Sequence, residues 1–132
     1  MGVYSIPAAA MVGMREEAAS EAGIPHVLGR ALFVRNARSQ IAGTTQGMLK
    51  LVVRKNDRRL LGVHLTGDEA AELVHIGQAV MHAEGRTFDR FLHTTFNIPT
   101  RRGAYKYGAY EALQKLNGRP RTITPLSAEL TQ

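Results

Sequence analysis

The sequence contains no cysteine and no tryptophan, and aromatic residues make up only 6% of it. Without cysteine there is no disulfide, no thiolate metal site and no C-x-x-C or C-x-x-x-x-C redox pair, so thiol chemistry is excluded for this chain. The same absence is compatible with the cytoplasm, the expected compartment. Long apolar runs are also missing: none approaches the roughly 20 residues that cross a bilayer as a helix. The apolar stretch 8–12 lacks the basic flank and the length of a secretory signal. No G-x-G-x-x-G stands between a strand and a helix, so nothing is built to hold a dinucleotide pyrophosphate at a helix N-terminus. A Walker loop and a G-x-S-x-G elbow are likewise missing.

What is present fits one globular domain. The chain has 132 residues, of which 44% are hydrophobic and 21% charged, enough to bury a core. Seventeen Lys and Arg against eleven Asp and Glu give a net charge of +6, which raises nucleic acid as a partner. The bases are dispersed, however, through Arg35, Arg38, Lys50, Arg54, Lys55, Arg58, Arg59, Arg101, Arg102, Arg119 and Arg121. With no run of five and few aromatics, the pattern fits a solvated face better than a nucleic-acid track. Missing acidic partner domains account for the excess charge equally well.

Periodicity and turn chemistry predict the order β-α-β-β-β-α-α-α. Residues 3–6 read as a short strand stopped by Pro7, and 16–22 as a short helix with Glu16 and Glu17 in its first turn. Residues 27–34 (VLGRALFV) read as a strand, and 36–47 contain loop. Two further strands, 48–54 and 60–65, flank Lys55-Asn56-Asp57-Arg58 and predict a hairpin. Thr66-Gly67-Asp68-Glu69 matches the T-x-x-E capping box and predicts a helix to about residue 84. Its buried stripe is Ala70, Leu73, Val74, Gly77, Val80 and Met81, with Glu72, His75, Gln78 and His82 opposite. A shorter helix is expected over 86–93. A last helix over 101–116 has Tyr105, Gly108, Ala109, Ala112, Leu113 and Leu116 in phase, and Asn117-Gly118 ends it. The tail, 119–132, has little periodicity and is expected to be poorly ordered. The fold class is α+β, an antiparallel sheet with helices packed on one face.

Five histidines, His26, His64, His75, His82 and His93, invite a metal hypothesis, but none are spaced as helical ligands. His75 and His82 are two turns apart, about 10 Å along a helix, and no H-E-x-x-H occurs. The carboxylates gather in helix first turns, where they stabilise the dipole. No acid–base pair stands out; Glu72 facing His75 would be a solvated contact. The most distinctive local string is His93-Thr94-Thr95-Phe96-Asn97-Ile98-Pro99-Thr100. Its X-Pro bond forces the preceding residue out of helical geometry, and Thr100 is placed to cap the helix that follows.

Several strings stand in one order: Val3-Tyr4-Ser5-Ile6-Pro7, then Met11-Val12-Gly13-Met14-Arg15-Glu16-Glu17-Ala18. Gly29-Arg30-Ala31, Ala37-Arg38-Ser39-Gln40-Ile41 and Leu60-Leu61-Gly62-Val63-His64 follow. The series closes with Ala71-Glu72-Leu73-Val74-His75-Ile76-Gly77-Gln78-Ala79-Val80 and the Thr94–Thr100 string. Together, over residues 3–116, they resemble the C-terminal dimerisation domain of the pyridine nucleotide-disulfide oxidoreductase family, in particular its soluble NAD(P) transhydrogenase branch.

The resemblance implies a sheet of about five antiparallel strands and a homodimer formed by residues 1–118, with 119–132 as a tail. It implies that Asn97, Ile98, Pro99 and Thr100 face the flavin of the partner subunit, with Ile98–Pro99 cis. Disulfide reductases of the family have a catalytic His where this chain has Ile98, and an orienting Glu where it has Gly103. Isoleucine carries no proton, so no catalytic residue is assigned. Nor is a cofactor assigned to this chain; FAD and NAD(P) belong to the parent family. Separate FAD- and NAD(P)-binding domains of the same enzyme are candidate partners beside the second copy. Two alternatives stay open: a fragment of an active flavoprotein moving hydride between NADPH and NAD, and a basic nucleic-acid-binding module.

Overall fold

The computed structural model describes residues 1–3 and 8–118. Strands Gly2–Val3 (β1), Ala9–Gly13 (β2), His26–Leu32 (β3), Gly47–Arg54 (β4) and Leu60–Gly67 (β5) form one antiparallel sheet in the order β1-β2-β5-β4-β3. The helices are Glu16–Glu21 (α1), Ala37–Ala42 (α2), Ala70–His82 (α3), Asp89–His93 (α4) and Ala104–Leu116 (α5), with 3-10 turns at Phe33–Arg35 and Arg101–Gly103. The expected α+β class with a five-stranded antiparallel sheet is what forms.

Alternation along the strands sets the two faces of the sheet. Leu49, Leu51 and Val53 of β4 and Val63 and Leu65 of β5 are buried together, in register as Leu49↔Leu65 and Leu51↔Val63. The expected stripes of α3 and α5 cover this face: Ala70, Leu73, Val74 and Gly77 from one, Tyr105, Gly108, Ala109 and Ala112 from the other. Phe91 of α4 stacks on Tyr105 with ring centroids 4.8 Å apart. α5 approaches β3 so closely that a methyl on Gly29 would overlap the Gly108 carbonyl oxygen. The same helix closes the outer edge of β3. Glu111 accepts from the Arg30 N–H at 2.6 Å, and the Lys115 ammonium donates to the Leu28 carbonyl at 2.8 Å. An edge whose backbone groups are satisfied in this way is protected from pairing with another chain. The opposite face is covered at one end by α1, where Glu16 reaches Lys50 at 3.3 Å and the Met14 carbonyl meets His64 at 3.1 Å.

Several local expectations are corrected. Ala9–Gly13 is a strand, which its short run of small residues did not announce; it exists because β5 pairs with it from Ala9↔Thr66 to Gly13↔Gly62. The third strand stops at Leu32, and Phe33–Arg35 turns to bury Phe33. Within 36–47 the expected loop is confined to residues 43–46, after a helix (α2) that the sequence reading did not name and that the Asn36 side chain caps by accepting from the Ser39 N–H at 3.1 Å. The β4–β5 turn forms at the expected tetrad with Arg58 as its left-handed residue, φ 63; the Asp57 carboxylate is held by Arg54 at 2.6 and 2.9 Å. The capping box does not form. Thr66 and Gly67 remain in β5, and Glu69 takes the cap position itself with φ 62 and no side-chain cap bond. α3 ends at His82. The helix expected over 86–93 shortens to α4, because Arg86 accepts from the Leu60 N–H at 2.9 Å and Thr87 bridges to Arg59. Of the strand expected over 3–6 only Val3 is in β1; residues 4–7, and the tail 119–132, lie outside the described residues.

Candidate functional site

The string singled out above leaves α4 at His93 and re-enters helix at Arg101. Its Ile98–Pro99 bond is cis, as expected. The Thr100 hydroxyl does not cap the following helix; it turns back and donates to the Asn97 carbonyl at 2.6 Å. The Thr100 carbonyl accepts from the Asn36 side-chain amide at 3.1 Å. Asn36 thus caps α2 with its oxygen and holds this loop with its nitrogen. The four residues Asn97 to Thr100 are brought together as one small turn tied at its base. At its tip the Ile98 side chain stands 89% exposed. An isolated exposed Ile is ordinary, but one at the apex of a pinned turn is presented rather than left over.

The residue that anchors the far side of the turn, Arg101, was missed by reading the sequence. It is 5% exposed, donates to Glu69 at 2.9 Å, lies 3.4 Å from Asp68, and also donates to the Thr44 hydroxyl. A guanidinium of this depth needs such partners, since an unpaired buried charge is costly. A signal was available. Stepping the stripe Tyr105, Gly108, Ala112 back by one turn lands on position 101, where a charge interrupts an otherwise apolar face. The partnership also explains Glu69: its carboxylate serves Arg101 rather than the cap expected of it. Beside the turn a cleft of about 530 Å³ is bordered by Arg38, Glu69, Glu72, Thr100 and Arg102.

Chemically this is a shaped surface and not an acid–base centre. None of the side chains Asn97, Ile98, Pro99 and Thr100 exchanges a proton near neutrality. Gly103 occupies the 3-10 turn with open space where a side chain would stand, so packing does not demand glycine there. On the exposed face of α3 the His75 ring bonds Gln78 at 3.1 Å. His64 is half-buried on the open face of the sheet, and burial pushes its pKa below the usual value. Burial pushes the Tyr105 hydroxyl up.

A model of the pyridine nucleotide-disulphide oxidoreductase dimerisation domain matches residues 1–108. The chain belongs to that family. Over 117 residues the domain is 44% identical to the soluble pyridine nucleotide transhydrogenases of Pseudomonas fluorescens and Marinobacter nauticus, covering 87% of this chain and 25% of each relative. The domain therefore spans about a quarter of the length of the curated relatives it matches. Among solved structures it is similar to a flavoprotein disulfide reductase from Escherichia coli, with a TM-score of 0.79 at 25% identity over 83% of this chain and 25% of that one. A Mycobacterium tuberculosis structure at 20% identity, TM-score 0.75, covering 84% of this chain and 24% of its own, shares the fold. Among the described residues no helix is long and apolar enough to cross a membrane.

Proposed function

We propose that this domain pairs with a second copy of itself and presents the turn Asn97 to Thr100 across the pair to a flavin held by other domains. The observation that carries this is Ile98: a large apolar side chain at the tip of a turn fixed by Asn36 and Thr100, 89% exposed in the single chain. Such a side chain gains most when a partner surface covers it. The chemistry of the turn suits a flavin as a wall, with an apolar tip and backbone amides but no general acid. The flavin, when bound, supplies the hydride transfer; this chain's residues shape the surface around it and exclude water. Alone, the domain catalyses no turnover, and its parent enzyme exchanges hydride between NADPH and NAD in the cytoplasm. Separately encoded FAD- and NAD(P)-binding domains are the further partners that fit.

Sedimentation equilibrium across a micromolar concentration series tests the reading. The wild-type chain is expected as a dimer, and Ile98→Asp is expected to dimerise equally well, because that side chain faces a flavin held by other domains rather than the second copy. A monomer at all concentrations, or an Ile98→Asp chain that no longer dimerises, would overturn it. Stoichiometric flavin binding with NADPH oxidation by the isolated chain would instead favour a self-sufficient enzyme.

A further inference from the structure

On the face of the sheet turned away from α3 and α5, the cross-strand register places Arg30 opposite Lys50, and Lys50 opposite His64. Arg30 and Lys50 are like charges directly opposite one another, which destabilises a sheet. One residue pair further along, Leu32 stands opposite Met48, and Met48 opposite Thr66. A basic row and a mainly apolar row therefore run side by side across three strands, roughly 7 Å apart from the strand rise. They line a concavity of about 900 Å³, whose rim adds Arg35, Glu111 and Lys115. That volume lies within the range of small-molecule sites.

Three carboxylates, Glu16, Glu17 and Glu111, stand near the four charged bases Arg30, Arg35, Lys50 and Lys115 and do not fully balance them. Glu16 pairs with Lys50 and Glu111 with Lys115, each at 3.3 Å. Among the described residues no ion pair ends on the Arg30 or Arg35 guanidinium. Leu32 is 39% exposed although it lies on a sheet. Local stability would be better served by a neutral residue at position 30, and a conflict of that kind marks a functional surface.

We propose that this open sheet face is a binding site for a small amphipathic anion, its carboxylate on Arg30 and Lys50 and its apolar body along Leu32 and Met48. The guanidinium fork of Arg30 supplies paired donors to the carboxylate, and Arg35 and Lys115 raise the local potential. The site shares no residue with the Asn97–Thr100 turn.

The test is a titration of the ¹⁵N-labelled full chain with decanoate, decan-1-ol and acetate, followed by amide shifts. Decanoate is expected to saturate at one per chain, with shifts centred on Leu32, Met48, Lys50 and Thr66, while the other two bind at least tenfold more weakly. Arg30→Gln is expected to lower decanoate affinity about tenfold, the equivalent of one charge-assisted hydrogen bond. The same variant should melt no lower than wild type, because it relieves the like-charge row. Decanol matching decanoate would reduce the site to a greasy patch, and acetate matching it to a general ion site. Unchanged decanoate affinity in Arg30→Gln, or shifts spread over the molecule, would also overturn the proposal. Displacement of decanoate at equimolar poly-glutamate peptide would reassign the face to an acidic protein partner.

Discussion

The Tyr105 hydroxyl accepts from the Gly77 N–H at 3.1 Å and donates to the Leu73 carbonyl at 2.5 Å, so α5 is bonded to two groups that α-helical pairing would join to each other. Gly77 makes room for this. A methyl there would stand 2.6 Å from a Val63 methyl and 3.2 Å from the Tyr105 oxygen. The contact ties the helix that follows the Ile98 turn to the helix that carries the family's H-I-G-Q-A string.

Tyr105→Phe is expected to destabilise the fold by about 1–2 kcal/mol through the lost hydroxyl bonds. Gly77→Ala is expected to destabilise it by about 1–3 kcal/mol, although alanine favours a helix, because the new methyl meets Val63. Urea denaturation of the three chains checks both values. A Gly77→Ala chain more stable than wild type would show that Val63 yields freely.

Gly29 and Gly108 touch each other but are not equivalent. A methyl on Gly29 meets the Gly108 carbonyl of the backbone, whereas one on Gly108 meets the end of the Leu49 side chain at 2.9 Å. Backbone cannot step aside and a leucine tip can. Gly29→Ala is therefore expected to lower the melting temperature well below Gly108→Ala, and equal losses would contradict the asymmetry.

Arg101 is buried while its acidic partners Asp68 and Glu69 are more than half exposed. Removing Glu69 leaves the buried charge with only Asp68, at 3.4 Å, and the Thr44 hydroxyl, whereas removing Arg101 leaves two acids that water can solvate. Glu69→Ala is expected to cost about 1–3 kcal/mol and to exceed the cost of Arg101→Met. Denaturation of the two variants decides it, and the reverse order would assign the role of Arg101 to packing and its Thr44 bond.

His64 sets a pH dependence of known sign. Burial lowers its folded pKa below the usual 6.5, so as pH falls the unfolded chain takes up the proton first. Its contribution to stability is complete above 6.5 and is lost as pH falls through the depressed folded value. Stability measured from pH 7 down to about 5 is expected to decline less steeply in His64→Gln than in wild type. Parallel profiles would show that other groups carry the slope.

The amphipathic periods of α3 and α5 were legible because residues three and four apart share a helix face whatever surrounds them. The hairpin of β4 and β5 was legible from two apolar runs around a polar turn. The family strings were legible in the order in which they occur. The capping box at Thr66 was misread because a local pattern cannot reveal that Glu69 is claimed by Arg101, 32 positions away. β2 went unseen because Ala9 and Ala10 have little strand preference of their own, and only pairing with β5 makes them one.

By itself, then, the sequence determined the α+β class, the family and the loss of a proton-carrying residue at position 98, since each depends on residue identity and short-range spacing. Tertiary structure alone decided that Asn36 and Arg101 brace the Ile98 turn. It alone set Arg30, Lys50 and His64 side by side, because contacts between residues far apart in the chain are fixed by strand register and helix packing.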